Sequence, residues 1–356
     1  MTGTPPPINP SVRDRATREL RKELRKRAGE FLTRFNRHDV LMARAVRGVQ
    51  IEAVQQFRRM IAQPLLESIG KTLAGFDARG REVTPERFPQ LQIMLEEIDN
   101  IIRRGILELR QLTEQRLEQV GQQEADFVTE NAAKTADQPV APVRAPDPSQ
   151  QRVLGDNVEQ WFDKMLAEPT GDNVRRRILQ GLEQGDTVDQ IVRGIKGSRT
   201  EEGILDKSAK GVDTLVRTAA TAESTAAREQ TFRDLGVTHW RFVATLDSRT
   251  TILCASLDGD RFPVGEGPMP PLHPNCRSTA VPDLGDDGTR AAFDGQVPAS
   301  MTFEEWMRTR PLAEQEEMFG KQKAAAFRRG DLSLKQMLGK DLEPLTIKEL
   351  RDKDAL

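Results

Sequence analysis

The chain has 356 residues, 30% charged and 37% hydrophobic, with a formal net charge of −2 and a mean hydropathy of −0.58. That length exceeds one ordinary core and implies two or three packed units, while the near-neutral balance excludes a polyelectrolyte that coats nucleic acid with its whole surface. Two cysteines and no tyrosine exclude a disulfide framework and an aromatic carbohydrate platform, and they imply synthesis in a reducing cytoplasm.

Residues 1–11, "MTGTPPPINPS", read as extended and lack the apolar core of a signal peptide. No apolar run approaches the roughly 20 residues that span a bilayer, so a soluble protein without a membrane partner is expected. From about Arg13 to Ile69 the pattern is helical: Leu20, Leu24, Phe31 and Phe35 recur at four- and seven-residue steps, and Val46, Val49, Ala53, Phe57, Met60 and Ile61 continue the stripe. Its first half is basic, with Arg13, Arg15, Arg18, Arg21, Lys22, Arg25, Lys26, Arg27, Arg34 and Arg37. One reading is a solvated face partly paired with Glu19, Glu23 and Glu30. The other is an arm against nucleic acid or an acidic protein surface, with Arg18, Arg21, Lys22, Arg25, Lys26, Arg27 and Arg34 as contacts. The scarcity of interleaved aromatics favours the solvated face.

"GFDARGREVTP" (Gly75 to Pro85) is a turn region, and a second long helix is expected from about Glu86 to Val128. Leu91, Leu95, Ile98, Ile102, Ile106, Leu109 and Leu112 form its apolar seam, so the two helices should pack as an antiparallel hairpin over residues 1–131. The proline- and alanine-rich stretch 132–152 reads as a linker, which leaves 153–356 as a second domain. In that domain "VEQWFDKMLAE" should bury Trp161, Phe162 and Met165. "NVRRRILQGLEQGDTVDQIVRGIKG" should form two helices broken at Gly185, with Asp186 or Thr187 capping the second. A further helix should close at Gly236.

The β signal comes next. "HWRFVAT" alternates, with Trp240, Phe242 and Ala244 on one face. "ILCASL" reads as a strand leading through an Asp258-Gly259 hairpin turn into "DRFPV", and "GEGPMPPLHP" as a constrained loop. From Thr302 the chain is helical again, with ends at Gly320 and Gly330. The class is α+β, predominantly α: a long helical hairpin, a helical middle, a small antiparallel β unit and a helical tail over 302–350.

The chemistry concentrates in Cys254, His273 and Cys276, which hold both cysteines and one of three histidines. Two thiolates and an imidazole suit zinc, and a closed structural site needs a fourth ligand. Asp247, Asp258, His239 or water are the candidates. A nucleophile reading would make Cys254 the thiolate, His273 its base and Asn275 or Asp258 the orienter. The apolar setting of "ILCASL" favours a buried structural cysteine instead. Asp247 and Arg249 in "LDSRT" suggest a capped turn with an ion pair.

The run "WRFVATLDSRT…CASLDG…PPLHPNCRS" resembles the phage head-morphogenesis family, the Mu F-like minor head proteins. Members show a tryptophan strand, an "ATxDxRT" turn, a "CxxC" leading into "LDG", and an "HPxCRC" loop. The matching motif positions here are Trp240, Asp247, Arg249, Thr250, Asp258, Gly259, Pro274, Asn275 and Arg277, within a core over 239–283. Thr251 and Ser278 stand where the family usually has cysteines, and Ala219 replaces a glutamate after Arg217-Thr218. His273, Asn275, Arg277 and the Asp258 turn could therefore pin the loop without metal, as a degenerate zinc knuckle. The resemblance implies a structural, non-enzymatic minor head protein of a tailed phage, inside the capsid near the portal vertex and in the host cytoplasm during assembly. It implies the portal protein as partner, capsid or scaffolding protein as further partners, and roles in head morphogenesis, genome packaging and ejection. It requires no cofactor, zinc being the one candidate. Double-stranded DNA on the N-terminal basic helix would make it a DNA-binding internal virion protein. The rival class is a thiol-dependent enzyme or virion-loaded effector using Cys254 and His273.

Overall fold

The structure, a computed structural model, describes residues 10–74, 84, 88–285 and 288–355. Most of the expected extended start, nearly all of the Gly75–Pro85 turn and the Glu86 helix start lie outside them. The first long helical stretch is three helices: α1 (Pro10–Lys26), α2 (Ala28–Phe57) and α3 (Gln63–Leu73), with a turn at Arg27 and a π-helical turn at Arg58–Ala62. Pro10 stands at the start of α1, where its missing N–H costs nothing. The second long helix, α4 (Pro89–Ala136), runs past its expected end into the stretch read as a linker.

Beyond it lie strands β1 (Arg152–Val153) and β2 (Asp156–Asn157), then helices α5 (Val158–Phe162), α6 (Glu168–Gln184), α7 (Val188–Lys196) and α8 (Ile204–Asp234). Strand β3 (His239–Val243) follows, then α9 (Ile252–Leu257), β4 (Arg261–Pro263), β5 (Thr279–Pro282), β6 (Thr289–Ala292) and β7 (Gly295–Pro298). The chain closes with α10 (Phe303–Arg308), α11 (Leu312–Phe319), α12 (Lys321–Arg329) and α13 (Ile347–Asp352). The fold is α+β and predominantly helical. No described helix is long and apolar enough to cross a membrane.

Contacts divide the chain into two units. The first comprises Met1–Met42, Gly121–Pro146 and Ser224–Leu356, the second Ala43–Val120 and Asp147–Glu223. Each thus draws on segments from both sides of the proline-rich stretch, and α2, α4 and α8 contribute residues to both. Within the first unit that stretch is tied down: Gln122 of α4 donates to the Val143 carbonyl at 3.1 Å and accepts from the Ala145 N–H at 3.2 Å.

The second unit is all but wholly helical, its core built from Phe57, Ile61, Leu65 and Ile69 against Leu91, Leu95, Ile98, Ile102 and Ile106 of α4. Leu112, expected in this seam, is only half-buried. Gly105 lets the backbones approach, since a Cβ there would lie 2.3 Å from Ile61 Cγ1. The expected burial of Met165 fails. A π-helical turn at Asp163–Ala167 inserts an extra residue into the helical period, so Leu166 faces inward at 0% exposure and Met165 is 41% exposed. Gly185 in the left-handed region ends α6, and Thr187 caps α7 with a reciprocal bond from Gln190.

In the first unit β3 is the centre of a three-stranded antiparallel sheet, order β4-β3-β5. Trp240 faces Phe262 on one neighbour and Pro282 on the other. Trp240, Phe242 and Ala244 are buried as the alternation required, against Phe31, Phe35, Phe232, Phe303 and Phe327. Behind the sheet sits Arg228 of α8, 2% exposed, bonded to Glu124 at 2.7 Å, to Asp39 and Thr279, and to the Ala280 carbonyl at 3.2 Å. Glu124 also meets Ser224 and His38. Burial alone would raise the Glu124 carboxyl, but the Arg228 charge and the His38 bond hold it down to about 2. This ionic network fastens α2, α4 and α8 to β5.

Candidate metal centre

The segment "ILCASL", expected as a strand, is the short helix α9. Thr251 caps it, its hydroxyl accepting from the Cys254 N–H at 3.3 Å. A six-residue segment with five apolar residues fits either state; the capping threonine decides for helix. There is no hairpin at Asp258-Gly259 either. Gly259, at φ +87°, turns the chain from α9 back to the sheet, where β4 pairs with β3. Asp258 is not exposed in a turn but buried. Its carboxylate accepts from the Ala244 and Phe303 N–H groups, both at 2.6 Å, and from Arg290 at 2.8 and 3.0 Å. A buried aspartate is satisfied only with such a full set of donors.

The loop before β5 brings His273 and Cys276 to α9. Cys254 Sγ lies 3.3 Å from His273 Nε2 and 3.7 Å from Cys276 Sγ, and the three ligand atoms all fall within 4.8 Å of one another. His273 Nδ1 sits 2.8 Å from the Pro274 carbonyl, which turns Nε2 toward the sulfurs. Thr251 Oγ1 lies 3.1 Å from the same Nε2, and the buried Ser278 side chain bonds Cys254. The hydrogen bond from Cys254 holds the Cys276 thiol below its ordinary range, while that bond and burial push Cys254 up. His273 is raised in turn by its bond to Cys276.

Around a tetrahedral zinc with Zn–S of about 2.3 Å and Zn–N of about 2.0 Å, neighbouring sulfurs lie about 3.8 Å apart and sulfur and nitrogen about 3.5 Å. The Cys254–Cys276 and Cys254–His273 separations, 3.7 and 3.3 Å, are close to those edges, and two thiols with an imidazole are zinc-type donors, so the donor set fits zinc. The fourth corner falls to none of the expected side chains. Asp247 is taken by Arg277, one contact of 2.6 Å, and by Arg249. Asp258 is taken by Arg290, and His239 is exposed on Thr238. Thr251 and Ser278 occupy that side of the cluster instead.

The other motif residues arrange themselves around this centre. Trp240 donates from Nε1 to the Glu266 carbonyl at 3.0 Å, holding the loop that carries Pro274. Asp247 accepts the Arg249 N–H at 3.0 Å, and Thr250 donates to the Thr245 carbonyl at 2.5 Å, closing the expected capped turn. Arg277 of the loop reaches Asp247. Asn275 adopts φ +61°, a left-handed turn that asparagine tolerates, and the His273 ring is oriented through Nδ1 by the Pro274 carbonyl.

The basic residues of the first helices are elsewhere in the first unit. Arg27 and Arg34 reach the end of α4, at the Thr135 carbonyl (3.2 Å) and hydroxyl (3.0 Å), where cations suit a helix C-terminus. Lys26 stands 3.9 Å from Glu23, while Arg18, Lys22 and Arg25 are exposed and Arg21 half-buried. Sequence reasoning missed Arg290 and Arg228. An arginine in a short strand or mid-helix looks solvated, and no local pattern shows that its acid lies far along the chain.

Residues 172–281, from α6 to β5, match the family model described as Phage Mu protein F like protein. Just under a third of the chain is covered, including Cys254, His273 and Cys276. Over this segment the chain is similar to the Mu F-like phage proteins that the motif resembles. Neither curated proteins nor solved structures give a match.

Proposed function

We propose that the protein is a structural minor head protein of a tailed phage, carried inside the capsid and docked on the portal. Its β3–β5 unit is a scaffold braced at Cys254, His273 and Cys276. The observation that carries this is the Mu F-like match running through the whole cluster. Zinc, held by the two sulfurs and His273 Nε2, would supply a cross-link between α9 and the loop before β5. Ser278 and Thr251 would line its remaining side. A thiol enzyme is supported only by the 3.3 Å approach of Cys254 to His273. It would need substrate to reach sulfurs that are 1% and 0% exposed.

The test is co-expression with the portal protein of the same phage, followed by affinity capture and mass spectrometry of purified heads. Co-purification with portal and a few copies per head are expected. Heads free of this polypeptide would end the reading. Contact with double-stranded DNA through α1 rests on the exposed Arg18, Lys22 and Arg25 and would appear as salt-sensitive binding.

A further inference from the structure

Away from the metal centre, the second unit carries an open groove of about 990 Å³. One wall is a single helical face running through the end of α2, the π-helical turn and α3: Gln55, Arg58, Arg59, Ala62, Gln63, Leu66 and Glu67. That face is about 18 Å long at 1.5 Å per residue. The other wall is the turn after α7, Lys196 to Arg199, with Leu205 and Asp206 at the start of α8. Arg58, Arg59, Lys196 and Arg199 are all exposed, and none has an ion-pair partner among the described residues. The two acids are already occupied locally. Glu67 accepts from Gln63 at 2.9 Å, and Asp206 from the Gly203 N–H at 3.4 Å. The floor is apolar, made by Ala62, Leu66 and Leu205.

We propose that this groove takes an acidic amphipathic helix of a partner protein. An apolar floor between two basic rims is the complement of a helix with leucine-type residues at i, i+3/i+4 and i+7 and carboxylates on either side. The length of the α2–α3 wall matches about three turns of such a helix. Duplex DNA is the poorer fit: it would meet the cations but leave the apolar floor facing phosphate and sugar, and the lining offers no aromatic ring on which a base could stack. The four cations set orientation and partner choice while the floor supplies burial. The site lies wholly in the second unit and stands whether or not the head reading does.

The experiment uses the full-length protein and fluorescence anisotropy with a labelled synthetic helix of about 18 residues, leucines on one face and glutamates beside them. A matched peptide with lysine for glutamate and a labelled DNA duplex are the comparisons. The glutamate peptide is expected to bind about tenfold more tightly than the lysine peptide, and the double variant Arg58→Glu/Arg199→Glu to lose about tenfold in affinity for it. Circular dichroism checks the fold. Should the reversal variant lose its native spectrum, Arg58→Gln/Arg199→Gln carries the test with a smaller loss. Equal binding of the two peptides, or no effect of the charge changes, overturns the proposal. So does DNA binding that the same substitutions abolish.

Discussion

The buried charges of this protein differ in whether partners far along the chain satisfy them. Asp258 accepts from two backbone N–H groups and Arg290, at side-chain exposures of 0% and 7% for the pair. Asp258→Asn leaves Arg290 buried without a counter-charge and should lower stability by about 3 kcal/mol, read from urea midpoints. Asp258→Asn/Arg290→Met should recover part of that loss; no recovery would mean the backbone bonds carry the effect. Glu223 of α8 is the opposite case: 1% exposed, with neither carboxylate oxygen bonded. Burial, with Asp147 and Glu118 nearby, pushes its carboxyl up to about 8. A folded value above the unfolded one means the folded state holds the proton. Stability should therefore fall as pH rises from about 4.5 through 8. Glu223→Gln should be neutral at pH 4 and stabilising by a few kcal/mol, on the order of 1.4 per pKa unit, at pH 9. A parallel pH profile for the two proteins would refute it. Neither environment was legible in the sequence: Asp258 was placed in a turn by its neighbour glycine, and no local pattern marks Glu223 as buried.

At the scale of elements, periodicity worked where helices are regular and failed where the period changes. The Leu91 to Leu109 seam, the Trp240–Phe242–Ala244 face and the Gly185, Gly236, Gly320 and Gly330 stops all appear as read. The two π-helical turns were invisible, since an inserted residue leaves no composition signal, and the second one exchanged Met165 for Leu166. α9 was misread because a six-residue segment with five apolar residues carries no period. Its threonine cap, three residues before Cys254, was the usable clue. Glycine gives a sharp test at this scale. Gly105→Ala drives a methyl into Ile61 and should cost about 1–3 kcal/mol. Gly70→Ala, in α3 with nothing within 4 Å, should be neutral or stabilising by about 0.5–1 kcal/mol. Equal thermal shifts for the two would contradict the close helix crossing.

For the whole molecule, the sequence suggests a helical hairpin, a linker and a second domain, and the contacts group the chain into two units, each assembled from discontinuous segments. Composition and local pattern cannot report which distant segments share a core. Cys254, His273 and Cys276 were legible as a group, but their geometry was not: α9, read as a strand, and the loop before β5 bring two sulfurs and one imidazole nitrogen within 4.8 Å of one another. As proposed, that cluster is a structural metal centre and not a reactive thiol. The deciding measurement is the zinc content of the purified full-length chain after exhaustive gel filtration. About one zinc per chain is predicted, lost in Cys276→Ala together with part of the thermal stability. A folded, metal-free chain, with the same melting temperature before and after Cys276→Ala, would contradict it.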